Sequence, residues 1–206
     1  AQILKGRGAH VAGSERSRDP GRMSEKFAML EAQGFEMHPQ DGSGISSNDQ
    51  VLVASAAVED TVPEMLRAKE LGCLKLTRAE LNSILFNTSG AGIAIAGTSG
   101  KSTVTAMLGW IMHVAGRDPT IMNGAVMKNF VTPDQPSASA VIGSRSIYVS
   151  EVDESDGSIA LYSPAVGVLL NISLDHKEMD ELRALFGDYL ERSRISAVNV
   201  DDAEVL

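Results

Sequence analysis

The residues best equipped for chemistry lie in one octet, Ala96-Gly97-Thr98-Ser99-Gly100-Lys101-Ser102-Thr103. Glycines at 97 and 100 let a backbone close on the oxygens of an anion. Lys101 can reach outer phosphate oxygens as a point charge. Ser102 can offer its hydroxyl to Mg²⁺. A helix beginning here aims its free N–H groups and the positive end of its dipole at the same anion. The octet follows an apolar run, 92–96, and precedes an amphipathic stretch, the setting a phosphate loop requires. The common spacing G-x-x-x-x-G-K-[ST] is not met, because Ile95 stands where its first glycine belongs, so this loop is shorter. A helix cap with incidental glycines is the plainer reading. It is outweighed because strand, loop, Lys-Ser pair and helix agree.

A second group is acidic. Glu151, Asp153, Glu154 and Asp156 crowd behind the strand-like run 146–150. Such carboxylates repel one another unless a cation lies among them. Mg²⁺ needs only one or two protein carboxylates and keeps its waters. A solvated acidic loop is the bland alternative. The phosphate loop tips the balance towards metal, since parallel strands bring their C-terminal ends to one crevice. A third group follows the apolar run 166–172. Asn171 is either a polar loop anchor or a ligand contact. Asp175 and Glu178 can cap a helix, and His176 beside them is either structural or a ligand.

These groups need a scaffold of alternating strands and helices. The spacing predicts strands at 10–14, 49–57, 92–96, 146–150 and 166–172, the last apolar on both faces as in a parallel sheet. Helices are expected at the chain start (1–8), at 26–35, and at 62–72, where Pro63 opens and Gly72 closes the segment. A further helix at 76–86 carries the capping box Thr77-x-x-Glu80. Two more span 103–115 and 174–190. Residues 15–26 read as loop. The small residues 87–92 suggest a boundary, giving units 1–88 and 89–206. The fold class is α/β: a Rossmann-like N-terminal domain followed by a P-loop-type parallel-sheet domain.

Composition narrows the partners. The 206 residues are 43% hydrophobic, enough for a core. A formal net charge of −9 disfavours nucleic-acid or membrane-surface binding. The one cysteine, Cys73, excludes an internal disulfide and a cysteine-based zinc site. No run is long and apolar enough to cross a membrane, and no signal peptide opens the chain, so the cytoplasm is the expected location.

The stretches SAAVEDTVPEMLRAKELG (55–72), LTRAEL, AGTSGKSTVTAML, VSEVDESDGSI, NISLDH and NVDD, over about residues 50–202, resemble the Mur ligases. EVDESDGS resembles the alanine-adding branch and its murein-peptide-recycling relative; residues 10–50 match less well. The shortened loop is normal in that family. The resemblance implies an ATP-dependent ligase joining the carboxylate of a UDP-N-acetylmuramate-type substrate to an amino acid, through an acyl phosphate. It implies ATP and Mg²⁺ as cofactors. Gly97, Thr98, Ser99, Gly100, Lys101, Ser102, Thr103 and Asn171 would bind nucleotide. Lys101, Glu151 and His176 would be catalytic, with Ser102 and Glu151 on one Mg²⁺ and His176 on a second. Residues 1–88 would be a UDP-sugar-binding domain lacking its opening Gly-rich turn. A C-terminal ligase domain is expected beyond residue 206. Ser99 replaces the branch's usual histidine, Ser102 its usual threonine, and Lys177-Glu178-Met179-Asp180 its usual Met-Asp after His176. A ligase attaching a whole peptide, and a nucleotide-binding remnant without turnover, are the alternative readings.

Overall fold

The computed structural model describes residues 1–16, 24–133, 135–174 and 177–206. They form two compact units, Ala1–Leu81 and Asn82–Leu206.

In the first unit, α1 (Gln2–Gly6) leads into β1 (Ala12–Ser14), which pairs in parallel with β2 (Glu36–His38) after α2 (Ser24–Ala32). A second parallel pair joins β3 (Val51–Ala54) to β4 (Leu74–Thr77) across α3 (Pro63–Leu71). Parallel pairing across an intervening helix is the βαβ arrangement the alternation implies. Helix α3 starts on Pro63 and stops where Gly72 turns left-handed (φ 74°), as the Pro and Gly positions foretell.

Helix α4 (Arg78–Asn87) begins with the expected capping box. The Thr77 N–H donates to Glu80 Oε2 (2.6 Å), and the Glu80 N–H donates to Thr77 Oγ1 (3.1 Å). The division between units falls inside this helix, whereas the sequence suggested one after it, at 88/89. Tertiary contacts account for the difference. Asn82 donates to Tyr162 Oη (2.8 Å) and Ser150 Oγ (3.1 Å) and accepts from Tyr148 Oη (2.7 Å), while the ring of Phe86 packs edge-on against both tyrosines.

The second unit is built on a six-stranded sheet. Its strands are β5 (Ala91–Ala96), β6 (Thr120–Met122), β7 (Ala140–Val141), β8 (Ile147–Glu151), β9 (Val166–Leu169) and β10 (Ile195–Val198), in the order β10-β9-β5-β8-β6-β7. Every pairing is parallel except β6 with β7. Helices α5 (Lys101–Val114) and α6 (Met179–Arg192) supply apolar cover. Ile95, Ile121 and Val149 are fully buried, with Val104, Ala106, Leu108 and Met112 of α5 packed against their cluster. On α6, Leu182, Phe186 and Tyr189 are fully buried, and Tyr189 Oη donates to the Ala94 carbonyl on the central strand (2.8 Å).

Four short strands escaped the sequence reading: β2, β6, β7 and β10, with two to four residues each. The last two residues of β4, Leu76 and Thr77, were absorbed into the helix expected at 76–86. β10, Ile-Ser-Ala-Val, is too short to read as a strand, and all four of its residues are exposed; it exists because β9 offers it an edge. The run 166–172 leaves the ladder after Leu169. Helix α6 starts at Met179 rather than 174, with Glu178 in extended backbone at its N-cap and no side-chain cap bond. Asp180 and Glu181 in its first turn favour the helix dipole instead. The capping role expected of Asp175, and much of the loop at 15–26, lie outside the described residues.

Candidate active site

Chain direction alone gathers the site. β5, β6, β8 and β9 run parallel, so the segments leaving their C-terminal ends share one edge of the sheet. The chain moves one way from β5 to β6 and the other way from β8 to β9, across β5. A crevice at such a reversal is where open α/β sheets take ligands.

The phosphate loop leaves β5. Gly97 has φ 138°, and a Cβ there would come within 3.1–3.3 Å of Leu170 and the Asn171 backbone. Only glycine fits that close approach of two loops. Gly100, at φ 80°, is the left-handed residue from which α5 starts. The loop is tied to the segment after β9 chiefly by the Asn171 side chain. Asn171 Oδ1 accepts from Thr98 Oγ1 (2.9 Å), the Ser99 N–H (2.9 Å) and Ser99 Oγ (3.3 Å), and Asn171 Nδ2 donates to the Ser99 carbonyl (3.1 Å). Ser173 adds its N–H to Thr98 Oγ1 (3.1 Å). Of the two roles open to Asn171, the geometry displays the loop anchor. That also explains the early end of β9: the chain turns there to meet the loop.

Lys101 Nζ donates to the Gly97 carbonyl (2.8 Å) and to both oxygens of Glu154 (2.8 and 3.0 Å). Ser102 Oγ donates to Glu151 Oε2 (2.6 Å), a carboxylate at the C-terminal end of β8. Thr103 is exposed in the first turn of α5. His176 lies outside the described residues.

The acidic group does not behave as one repelling cluster. Glu151 faces Ser102 and Glu154 faces Lys101. Asp153 accepts from the Ser155 N–H (2.9 Å) and Ser155 Oγ (2.7 Å), and Asp156 accepts from the Ser158 N–H (2.9 Å). Two carboxylates shape the turn and two face the phosphate loop.

Sequence reading missed Asn123 and Gly124, which follow β6. Asn123 is buried, and its Nδ2 donates to the Ser102 carbonyl (3.1 Å). A Cβ on Gly124 would collide with Glu151 Oε1, so a side chain there would displace the carboxylate. The signal was present as an Asn-Gly pair after a short β-branched run, too brief to read as a strand. Beside Ser102 and Asn123 opens a cavity of about 450 Å³, walled mainly by Met107, Trp110, Met127 and Phe130.

The residues present suit Mg²⁺. Hard oxygens of Ser102 and Glu151 already meet across a hydrogen bond, the donor types and number such an ion takes from protein. Among the described residues no three His, Cys, Asp or Glu side chains group as a metal centre. No helix among them is long and apolar enough to cross a membrane.

No family model matches the chain. Individual relatives do. It is 31% identical over its whole length to a UDP-N-acetylmuramate–L-alanine ligase of Hydrogenobaculum sp. (strain Y04AAS1), covering 44% of that protein. It is 37% identical, over 90% of its length, to the enzyme of the same name from Nitratidesulfovibrio vulgaris (strain DP4), covering 40% of it. The chain thus spans less than half the length of these relatives. Among solved structures, UDP-N-acetylmuramate–alanine ligase of Thermotoga maritima shares the fold with a TM-score of 0.82 over 99% of this chain and 46% of that one, at 21% identity. The UDP-N-acetylmuramate:L-alanyl-γ-D-glutamyl-meso-diaminopimelate ligase of Neisseria meningitides gives 0.78, over 99% of this chain and 68% of that one, at 22% identity.

Proposed function

We propose, for a chain related over its whole length to the Mur ligases, that its second unit is the ATP-phosphate and Mg²⁺ site of an ATP-dependent ligase. The reaction would join the carboxylate of a UDP-N-acetylmuramate-type substrate to an amino acid, L-alanine by the relatives' names, in cell-wall precursor synthesis in the cytoplasm. One observation carries the reading. Lys101 and the Ser102–Glu151 pair stand together at the C-terminal ends of adjacent parallel strands, at the N-terminus of α5.

The chemistry follows from what these groups do. ATP and a carboxylate are both anions, and the carboxylate oxygen must attack the γ-phosphorus. Lys101 lowers that repulsion by presenting a cation at the outer phosphates. The N–H groups at the start of α5 bind the phosphates without adding a mobile charge. Mg²⁺, when bound, supplies further charge neutralisation between the two anions. Ser102 and Glu151 would hold it, and the resemblance assigns His176 to a second ion. The γ-phosphoryl group passes to the carboxylate and ADP leaves. The amine of the amino acid then attacks the acyl carbon, expelling phosphate and losing a proton. The first unit would hold the UDP-sugar, and a further domain would complete the adenine and amino-acid contacts.

The test is ADP and phosphate release by the full-length protein, with UDP-N-acetylmuramate and a panel of amino acids and peptides. Turnover with L-alanine supports the reading. Turnover only with a tripeptide replaces it by the peptide-attaching relative, and nucleotide binding without turnover on any acceptor defeats it.

A further inference from the structure

We propose that Glu154 is a positioning residue for phosphoryl transfer, holding Lys101 so that one of its N–H groups stays free for the transferring phosphate. The inference rests on the reading of Lys101 given above and adds a residue and a device to it.

The geometry carries the argument. The Glu154 side chain is only 5% exposed and that of Lys101 18%, so the pair is largely out of water. Lys101 Nζ has three N–H groups. One goes to the Gly97 carbonyl. The two oxygens of Glu154 belong to one carboxylate and subtend much less than the tetrahedral angle at Nζ, so they share a second. The third remains. Gly97 opens the phosphate loop and Glu154 opens a tight turn, so two separate segments fix Nζ from two sides.

A competing view makes Glu154 a blocking anion that phosphate must displace. Burial argues against it. If Lys101 swung away, side-chain oxygens with almost no access to water would lose their hydrogen-bond donor, which is strongly unfavourable. The lysine therefore stays, and phosphate comes to it. The turn is built for this. Asp153 and Asp156 bind their own local N–H groups, Val152 is buried, and Glu154 enters the interior between them.

Reach and charge are separated by two substitutions of nearly unchanged size. Glu154→Gln keeps the reach and one acceptor oxygen but loses the charge. Glu154→Asp keeps the charge but withdraws it by one methylene. In the full-length protein, kcat and KM for ATP are measured for both, with Tm as a control for folding. Positioning predicts that Glu154→Gln holds kcat within about threefold, while Glu154→Asp lowers it by about tenfold or more, as expected for ångström-scale misplacement. KM for ATP should change less than kcat. If Glu154→Asp matches wild type and Glu154→Gln does not, charge rather than position is the function and the proposal is wrong. Tighter ATP binding with undiminished kcat in either variant would establish the blocking view instead. A second readout needs no ligation: the ratio of ATP to ADP affinity, by equilibrium binding. Glu154→Asp should reduce the wild-type preference for ATP, and Glu154→Gln should retain it. A wild type that binds ATP but ligates nothing would defeat the ligase reading alone, leaving Glu154 to be judged on that ratio; an unchanged ratio in Glu154→Asp overturns the proposal.

Discussion

The phosphate loop and the acidic turn face each other across one strand-end crevice, yet they are stabilised in opposite ways. The loop is held from outside. Its backbone is close to that of β9, and Asn171, far away in sequence, binds Thr98 and Ser99. The acidic turn is held from within. Asp153 and Asp156 each bind an N–H two residues on, and Gly157 closes the turn at φ 75°. Thr98 and Ser99 give their N–H groups to Asn171, so a neighbouring segment holds the loop and the N–H groups at the start of α5 are left for an anion. A turn that offers carboxylates outward can spend its other carboxylates on its own backbone.

The largest expected effect breaks the loop's side of this comparison. Lys101→Ala should abolish ATP-dependent ligation while leaving the fold intact, since one oriented charge on the transferring phosphate is worth several kcal/mol, on the order of an oxyanion donor or more. Near-normal turnover by this variant would remove the phosphate assignment.

Glu151 and His176 test the division of labour between the two proposed ion sites. Glu151→Ala should strongly weaken Mg²⁺-dependent nucleotide binding, because a hard oxygen ligand is lost. His176→Ala should harm turnover more than ATP binding. Titrating ATP at varied Mg²⁺ tests both, and equal losses of ATP affinity would count against two ion sites.

Asn171→Ala probes the external tie. Several hydrogen bonds at about 1 kcal/mol each disappear together, so ATP affinity should fall by about tenfold, whereas Asp153→Ala should alter it by less than about threefold. Asp153→Ala should instead cost about 1 kcal/mol of stability through its turn. If the two variants weaken ATP equally, the contrast between loop and turn is not functional.

The smallest effect concerns the Glu80 carboxylate of the capping box. The Thr77 backbone N–H, and then its hydroxyl, hold the Glu80 carboxyl below its ordinary value of 4.5. A depressed carboxyl stabilises the fold above that ordinary value, and the contribution is lost as pH falls through the folded value. Wild type should therefore lose slightly more stability than Glu80→Gln on acidification below 4.5, seen as converging Tm values; a Tm difference that is constant with pH would exclude the linkage.

What was legible in the amino-acid order was whatever depends on near neighbours. The octet 96–103 carries the pattern of a phosphate loop because glycine, lysine and serine follow one another there. Pro63 and Gly72 bound α3, and Thr77 with Glu80 opens α4, through backbone groups a few residues apart. The α/β alternation was equally plain in the apolar runs that became β5, β8 and β9. Tertiary structure decided the rest. β10 has no buried residue and forms because β9 presents unpaired backbone. Asn82 and Phe86 tie α4 to the second unit through partners more than fifty residues away. Which of four adjacent carboxylates meets Ser102, which meets Lys101, and which two fold back on their own turn could not be read from a row of acidic letters. Each carboxylate's role depends on the direction in which its side chain leaves the turn, and on which segment, brought across by the parallel sheet, waits there as its partner.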